Sequence, residues 1–201
     1  MKLYDLDVSG NCYKVRLFAA LAQLPLTLQP VDFLGGEHKQ PHLLTLNPWG
    51  EVPILEDGSV VLRDAQAILV YLAARYGGAA WWPTEAHLQG EVTQWLSVAA
   101  NEVQHGPNAA RLVDKFGYPL DKSVALATSA RILALLDAHL AQHDWLAAGR
   151  PTIAECAVYP YLSVAWEGGV DVSRYPQLCA WMARVEALPG FVPMPGGGKP
   201  R

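Results

Sequence analysis

The sequence predicts a two-domain chain of class α/β plus all-α, with an α/β domain over residues 1–78 and a helical domain over residues 84–192. In the first part of the chain, short apolar runs typical of strands alternate with helical patterns. From Thr84 onward the strand patterns are absent and only helical periodicity remains. The segment Gly77–Pro83 separates the two patterns, and residues 193–201 (PMPGGGKPR) are predicted to be a flexible tail.

The elements of the α/β domain follow from periodicity and from turn residues. Apolar residues at three- and four-residue steps predict the first helix, which Pro25 ends, and Asp57-Gly58 between two short apolar runs predicts a hairpin. A β-α-β order implies parallel pairing of the first two strands, and the hairpin adds antiparallel pairs. The predicted elements are, in order, strand Lys2–Val8, helix Cys12–Leu24, strand Leu26–Val31, helix Pro41–Leu46, strands Val52–Glu56 and Ser59–Leu62, and helix Asp64–Tyr76.

The helical domain is predicted from segments with helical periodicity: Thr84–Val113, Asp121–His143, Thr152–Trp166 and Tyr175–Leu188. Thr152 with Glu155 three residues later fits a capping box, which places a helix start at Thr152. Gly106-Pro107 is expected to kink the first of these helices, because proline removes a backbone donor.

Composition excludes several classes of protein and partner. With 51% hydrophobic and 17% charged positions, the 201-residue chain is too apolar to be disordered. Its net charge of −4, with no basic cluster, argues against a nucleic-acid partner. The longest charge-free run, Leu17–Val31, is interrupted by two prolines, and the N-terminus has no signal-peptide pattern. No association with a membrane is therefore expected.

The cysteines and histidines predict a cytoplasmic protein without a metal site. The cysteines are an odd number and widely spaced, at positions 12, 156 and 179, which suits neither a disulfide framework nor a zinc site. His139 and His143 would share one helix face, but the sequence offers no third ligand nearby.

The stretch Ser9-Gly10-Asn11-Cys12 lies at the turn into the first predicted helix and is the first candidate site. A hydroxyl next to a helix N-terminus stabilises an anion such as a thiolate, because the hydroxyl and the unpaired backbone N–H groups both favour negative charge. The alternative is that Ser9 and Asn11 only cap the helix. In neither case does Ser9 need to act as a nucleophile.

Four motifs in this order resemble serine-type members of the glutathione S-transferase family: the Ser9 turn, Glu51-Val52-Pro53, the stretch Arg63–Ile68 (RDAQAI), and the capping box at Thr152. The resemblance implies a thioredoxin-like N-terminal domain followed by a helical domain, in a cytoplasmic homodimer. It also implies an enzyme that stabilises the glutathione thiolate for attack on a small hydrophobic electrophile. Glutathione would be the co-substrate, with no permanently bound cofactor and no nucleic-acid or membrane partner.

The same resemblance assigns roles to individual residues. Ser9 and Asn11 would contact the thiolate of glutathione. A cis peptide bond at Val52-Pro53 would turn the Val52 backbone toward the cysteinyl unit, as an added strand would. Asp64 would bind the γ-glutamyl ammonium group, a role compatible with capping the third helix.

Two positions depart from the family pattern. Ala65 stands where relatives have a serine that holds the γ-glutamyl carboxylate, although its backbone N–H still offers an anion site. A lost hydrogen bond to a charged group, about 1.5–3 kcal/mol, would weaken binding about ten- to a hundredfold. Glu51 places a carboxylate near the glycyl end of glutathione, where His38 and Lys39 are candidate cations or, alternatively, plain solvated surface.

A second-substrate pocket and two other functions complete the hypotheses. The candidate pocket residues follow one another along the first long helix of the second domain: Glu102, His105, Asn108 and Arg111.

One alternative function is glutathione-dependent reduction of disulfides or peroxides, in which Cys12 or glutathione itself reacts. Otherwise Cys12 packs as a small apolar residue. The other alternative is a non-catalytic binding module, which Ala65 and Glu51 favour.

Overall fold

The computed structural model describes residues 1–195 and contains a four-stranded sheet in the order β2-β1-β3-β4. The strands are β1 Lys2–Asp5, β2 Thr27–Pro30, β3 Ile54–Asp57 and β4 Val60–Arg63. β1 and β2 pair in parallel, whereas the pairs β1–β3 and β3–β4 are antiparallel. The parallel crossover and the hairpin predicted from the sequence are therefore confirmed.

The helices of this first part are α1 Gly10–Leu21, α2 Pro41–Leu46, α3 Ala65–Leu72 and the short α4 Gly78–Trp81. α2 has its predicted bounds, because Pro41 occupies the first helical position. The predicted helix Asp64–Tyr76 is shorter: Asp64 is its N-cap, and after Leu72 the chain forms a π-helical turn over Ala73–Gly77.

Boundaries differ from the prediction in three regions, each for a local reason. β1 ends at Asp5, because the Ser9 N–H donates to the Leu6 carbonyl at 2.9 Å and closes a turn. α1 begins directly after Ser9, which caps it, and ends before Gln23, whose φ of 54° lies outside the helical range. The hairpin loop is Gly58-Ser59 rather than Asp57-Gly58, and Gly58 supplies the positive φ of 60°.

The remaining described chain is helical, with α5 Ala86–Ala100, α6 Ala109–Phe116, α7 Lys122–Leu140, α8 Ile153–Ser163 and α9 Pro176–Glu186. The predicted helix Thr84–Val113 is divided between α5 and α6 by a π-helical turn, Gln104–Asn108, that contains Pro107. The predicted capping box is present at the start of α8. The thioredoxin-like domain followed by a helical domain is thus confirmed.

One hydrophobic core runs through both parts of the molecule. α8 is buried at nearly every position from Ile153 to Leu162, so it is the central helix of the helical part. α1 packs against α8, and Leu3 of the sheet belongs to the same buried cluster as Trp181 of α9. The two parts therefore meet along α1 and α8, beside the Ser9 turn.

The first residues of the predicted tail, 193–195, lie in the described part of the structure. Met194 is buried in the core, and the Tyr13 hydroxyl on α1 donates to the Val192 carbonyl at 2.7 Å. The chain is therefore packed against α1 up to Met194, and the rest of the predicted tail, from residue 196, lies outside the described residues.

α7 is long and apolar enough, by length and composition, to cross a membrane, which the sequence analysis did not predict. Its apolar residues at core positions are buried: Ile132, Leu133, Leu136 and Leu140. These residues pack inside the helical part of the protein, as in the core helix of a globular domain.

Candidate functional site

Strand register brings the predicted site segments to one end of the sheet. The end of β1 lies beside the start of β3, which lies beside the end of β4. Ser9 follows β1, Val52-Pro53 precedes β3 and Asp64-Ala65 follows β4, so the three segments adjoin. β2 runs parallel to β1, and the loop with His38 and Lys39 leaves from the same end.

Ser9 is the N-cap of α1 and is half-buried. Its Oγ accepts a hydrogen bond from the Cys12 N–H at 3.3 Å, and a hydroxyl that accepts a hydrogen bond can also donate one. Asn11, also half-buried, lies in the first turn of the helix. A hydroxyl donor and unpaired backbone N–H groups therefore occur together, an arrangement that stabilises an anion.

Cys12 is fully buried, so it packs as a small apolar residue. Burial raises the pKa of its thiol to about 12, although a contact with Ser9 opposes the shift. A thiol with this pKa is protonated at neutral pH and is a poor nucleophile.

A residue of the helical part holds the backbone before Ser9. Arg111, on α6, is 2% exposed, and its Nη1 donates to the Val8 carbonyl at 3.0 Å. Its Nε pairs with Glu167, which also accepts from the Lys115 Nζ at 2.5 Å. The buried guanidinium thus links the Ser9 turn to a nearly buried carboxylate.

Tyr161, on α8, packs against the first residue of α1. A Cβ on Gly10 would lie 2.2 Å from a Tyr161 ring carbon, so glycine is required for this close approach. Burial raises the pKa of the Tyr161 hydroxyl far above its ordinary value, and the Asn11 backbone is among its neighbours. Tyr161 is therefore a neutral hydroxyl beside the Ser9 turn, and no local sequence pattern indicated it.

The four residues predicted to line a second-substrate pocket differ in their burial and in their contacts. Asn108 and Arg111 are buried, Glu102 lies 3.8 Å from Arg131, and His105 is exposed and bonded to its own helix. The kink expected at Gly106-Pro107 takes the form of a π-helical turn, which changes which side chains share a face. Arg111 is also the donor to the Val8 carbonyl, and the second-substrate pocket stays a prediction.

The Val52-Pro53 peptide bond is cis, as the resemblance implied. Buried Asn47 holds the loop before it: its Nδ2 donates to the Glu51 carbonyl at 2.8 Å, and its Oδ1 accepts from the Trp49 N–H at 3.1 Å. Asn47 therefore fixes the backbone that leads to Val52.

Asp64 caps α3 and has an unusual backbone. Its Oδ1 accepts from the N–H groups of Gln66 and Ala67 at 3.0 and 2.9 Å. Its φ is 72°, a region that residues other than glycine rarely adopt and that is often found at functional sites. Ala65 is buried directly after it. Asp64 therefore caps α3 as predicted, and its side chain is exposed and accessible to a ligand.

The two candidate cations near Glu51 differ. Lys39 donates from Nζ to the Trp49 carbonyl at 3.0 Å, which places a positive charge beside the loop that contains the exposed Glu51. His38 stacks on Phe33 at 3.8 Å between ring centroids. Burial and the neighbouring Lys39 lower its pKa, so His38 is a weaker candidate for a permanent positive charge.

A cation–π contact that the sequence did not indicate joins the two loops of the candidate site. The Arg63 guanidinium lies 3.5 Å from the centroid of the half-exposed Trp49 ring. Trp49 belongs to the loop before Val52-Pro53, and Arg63 directly precedes Asp64. The contact holds these loops next to each other at the surface.

No group of three or more His, Cys, Asp or Glu side chains that could hold a metal ion was found in residues 1–195. The ring of His139 stacks on that of His143 at 4.5 Å, and its Nε2 lies 3.0 Å from the Leu146 carbonyl.

Two models of protein families match this chain, and both describe domains of one family. Residues 8–75 match the N-terminal domain of glutathione S-transferase, and residues 120–189 match its C-terminal domain. Glutathione S-transferase 3 of Zea mays is 32% identical over 205 aligned positions, which cover 95% of this chain and 91% of that protein.

Solved structures agree with the sequence comparison. A possible glutathione S-transferase from Rhodopseudomonas palustris is 36% identical, with a TM-score of 0.89 and coverage of 96% of this chain and 97% of that one. A glutathione transferase homologue from Drosophila mojavensis, crystallised with bound glutathione, is 26% identical. Its TM-score is 0.84, and the match covers 94% of this chain and 88% of that one.

Proposed function

The chain belongs to the glutathione S-transferase family and is a glutathione transferase; on that premise we propose that Ser9 stabilises the glutathione thiolate for attack on a small hydrophobic electrophile. The observation that carries this proposal is the geometry of Ser9, whose hydroxyl lies at the N-terminus of α1, at the end of the sheet where Val52-Pro53 and Asp64 also lie.

The proposed chemistry needs no general base. A free thiol has a pKa near 8.5, so the protein must favour the anion at neutral pH. A hydrogen bond to a charged group is worth about 1.5–3 kcal/mol, and one pKa unit is about 1.4 kcal/mol. The Ser9 hydroxyl alone would therefore lower the pKa of the bound thiol by about one to two units. Asn11 is a proposed second donor.

The remaining residues at this end of the sheet are proposed to bind the tripeptide. The Val52 backbone would pair with the cysteinyl unit, Asp64 would take the γ-glutamyl ammonium, and Lys39 would lie nearest the glycyl carboxylate. The bound glutathione in the Drosophila mojavensis homologue supports a tripeptide site in this fold. We further propose a cytoplasmic homodimer, the domain division at residues 78–84, and glutathione as co-substrate without a permanent cofactor.

Ser9→Ala tests the proposed catalytic role. We expect the conjugation of glutathione to 1-chloro-2,4-dinitrobenzene at pH 7 to slow about ten- to a hundredfold at saturating glutathione, because the thiolate loses a charged hydrogen bond. The lost helix cap costs about 1 kcal/mol, so thermal unfolding should confirm that the variant is folded. Ser59→Ala, in the exposed hairpin loop, is the matched control. An unchanged rate in Ser9→Ala would contradict the role of Ser9.

Cys12→Ala separates conjugation from the redox alternative. Because Cys12 is fully buried and burial raises its pKa to about 12, we expect the variant to conjugate glutathione at the wild-type rate within about twofold. Assays with a small disulfide and with a hydroperoxide should likewise be unaffected. Loss of a reductase activity in Cys12→Ala, with conjugation retained, would favour the redox function.

The binding-module alternative rests on Ala65 and Glu51, the two departures from the family pattern. It is distinguished by calorimetry, in which the absence of glutathione binding at millimolar concentration would favour a module that has lost the enzymatic activity of the family.

A further inference from the structure

Lys14, on α1, is a fully buried lysine without a hydrogen-bond partner. Its side chain has no exposed surface, and its Nζ has no acceptor within hydrogen-bond distance. Lysine is rarely buried unless it is paired, because removing the ammonium group from water is costly. The position of this amine therefore indicates either a structural penalty or a ligand that supplies the missing partner.

The amine lies beneath the candidate site. Lys14 is one helical turn beyond Gly10, and its Nζ is 5.3 Å from the centroid of the Tyr161 ring. α1 packs against both α8 and α3, and α3 packs against α8, so the three helices meet around Lys14. The negative charge of Asp64, at the start of α3, acts on the amine. Lys14 is thus placed between the Ser9 turn and the Asp64-Ala65 segment.

The same end of α3 lacks a donor. Ala65 has no hydroxyl, so only backbone N–H groups remain to hold a carboxylate there. A protonated lysine amine can form a charge-assisted hydrogen bond with a carboxylate, which is stronger than the bond between neutral partners.

We propose that the amine of Lys14 binds the α-carboxylate of the γ-glutamyl unit of glutathione and replaces the hydroxyl that Ala65 lacks. The proposal rests on the proposed function, because it concerns the same tripeptide site. Since Nζ has no exposed surface in the free protein, its flexible four-carbon stem turns toward the start of α3 when the tripeptide binds. The carboxylate then supplies the partner that the amine lacks.

The charged and titratable groups around Lys14 favour this assignment. Asp64 acts on it from the start of α3 and Tyr161 faces it from α8, while Cys12 lies two residues before it on its own helix. Burial raises the pKa values of the Tyr161 hydroxyl and the Cys12 thiol, so both remain neutral. Burial lowers the pKa of Lys14 itself to about 7, against the effect of Asp64. A bound carboxylate favours the charged amine, so ligand binding takes up protons at pH 7–8.

The test compares two thiol-free ligands by calorimetry. S-methylglutathione carries the γ-glutamyl carboxylate, whereas S-methylated 4-aminobutyryl-cysteinyl-glycine keeps the amine and lacks that carboxylate. At pH 7 we expect Lys14→Met to weaken S-methylglutathione binding about ten- to a hundredfold and to leave the Kd of the second ligand within about twofold. Methionine matches the shape of the buried stem, so the variant should unfold at or above the wild-type temperature.

The second part of the test measures the effect of Ala65→Ser on S-methylglutathione binding in the wild type and in Lys14→Met. If the amine replaces the hydroxyl, Ala65→Ser should tighten S-methylglutathione binding more in the Lys14→Met background than in the wild type. As a third arm, the wild-type Kd for S-methylglutathione should rise between pH 7 and 8.5, because protonating the amine becomes harder. The Kd of Lys14→Met should change less over the same range.

The possible outcomes separate this inference from the proposed function. If Lys14→Met weakens the binding of both ligands equally, or weakens the binding of neither, the role of Lys14 is overturned while the tripeptide site stays in place. Equal effects of Ala65→Ser in the two backgrounds, or equal pH slopes, also overturn it. Failure of the wild-type protein to bind S-methylglutathione at millimolar concentration overturns the proposed function itself, and the inference with it.

Discussion

Replacing Arg111 with methionine is expected to lower the free energy of unfolding by about 3–5 kcal/mol, because it leaves the nearly buried Glu167 without its main counter-charge. The same change removes the 3.0 Å hydrogen bond from Nη1 to the Val8 carbonyl, next to Ser9. We therefore also expect a lower kcat for conjugation and a higher pKa of the bound glutathione thiol. Urea unfolding and the ultraviolet absorbance of the thiolate measure the two effects.

Lys115→Met is the matched control for Arg111→Met. Lys115 also pairs with Glu167, at 2.5 Å, but its side chain is 31% exposed. Exposed ion pairs contribute about 0–1 kcal/mol, so the control should lose little stability and keep the wild-type thiol pKa. If Arg111→Met and Lys115→Met lost equal stability and had equal thiol pKa values, Arg111 would have no special part in positioning Ser9.

Glu155→Ala is expected to destabilise the protein by about 3–5 kcal/mol, since it leaves two buried backbone donors unpaired. The fully buried carboxyl group accepts from the Leu146 N–H at 2.8 Å and from the Thr152 N–H at 2.7 Å. It forms the capping box of α8, the central helix of the helical part. Unfolding by urea at pH 7 measures the loss.

Glu102→Ala is the control for this substitution, because Glu102 is half-buried and lies 3.8 Å from its partner Arg131. Surface changes of this kind shift stability by about 0.5 kcal/mol or less. Similar losses in Glu102→Ala and Glu155→Ala would contradict the importance of the capping box.

The effect of Glu155→Ala should depend on pH. Burial raises the pKa of the Glu155 carboxyl from its ordinary value of 4.5 to about 7. Between these values the folded protein holds a proton that the unfolded chain has released, so raising the pH from 5 to 8 disfavours the wild-type folded state. The variant lacks this group. The difference in stability between wild type and variant should therefore be larger at pH 5 than at pH 8.

Local patterns were sufficient to predict much of the fold. The hairpin, the capping box at Thr152 and the helix start at Pro41 each depend on residues a few positions apart, and the structure contains all of them. Boundaries were less accurate. The end of β1 and the division of the first long helix of the second domain depend on turns and a π-helical segment for which the periodic pattern carries no signal.

The candidate site likewise contains residues that short motifs identified and residues that no motif identified. Ser9, Val52-Pro53 and Asp64 were identified from short motifs, since each lies where the chain enters or leaves a strand or helix. Tyr161 and the contact of Arg111 with Val8 were not identified. The donor and acceptor of that contact are separated by 103 residues, and no local spacing indicates such a pair.

The sequence by itself determined the fold class, the order of the elements along the chain and the segments that form the candidate site, because periodicity, turns and caps follow from local chemistry. Only the tertiary structure decided which buried groups lie behind those segments. It placed Lys14 without a partner beside Tyr161, tied Arg111 to the Ser9 turn and enclosed Cys12 in the core. The physical reason is that burial and long-range contact set the charge state and partners of a side chain, and both arise only when distant helices pack together.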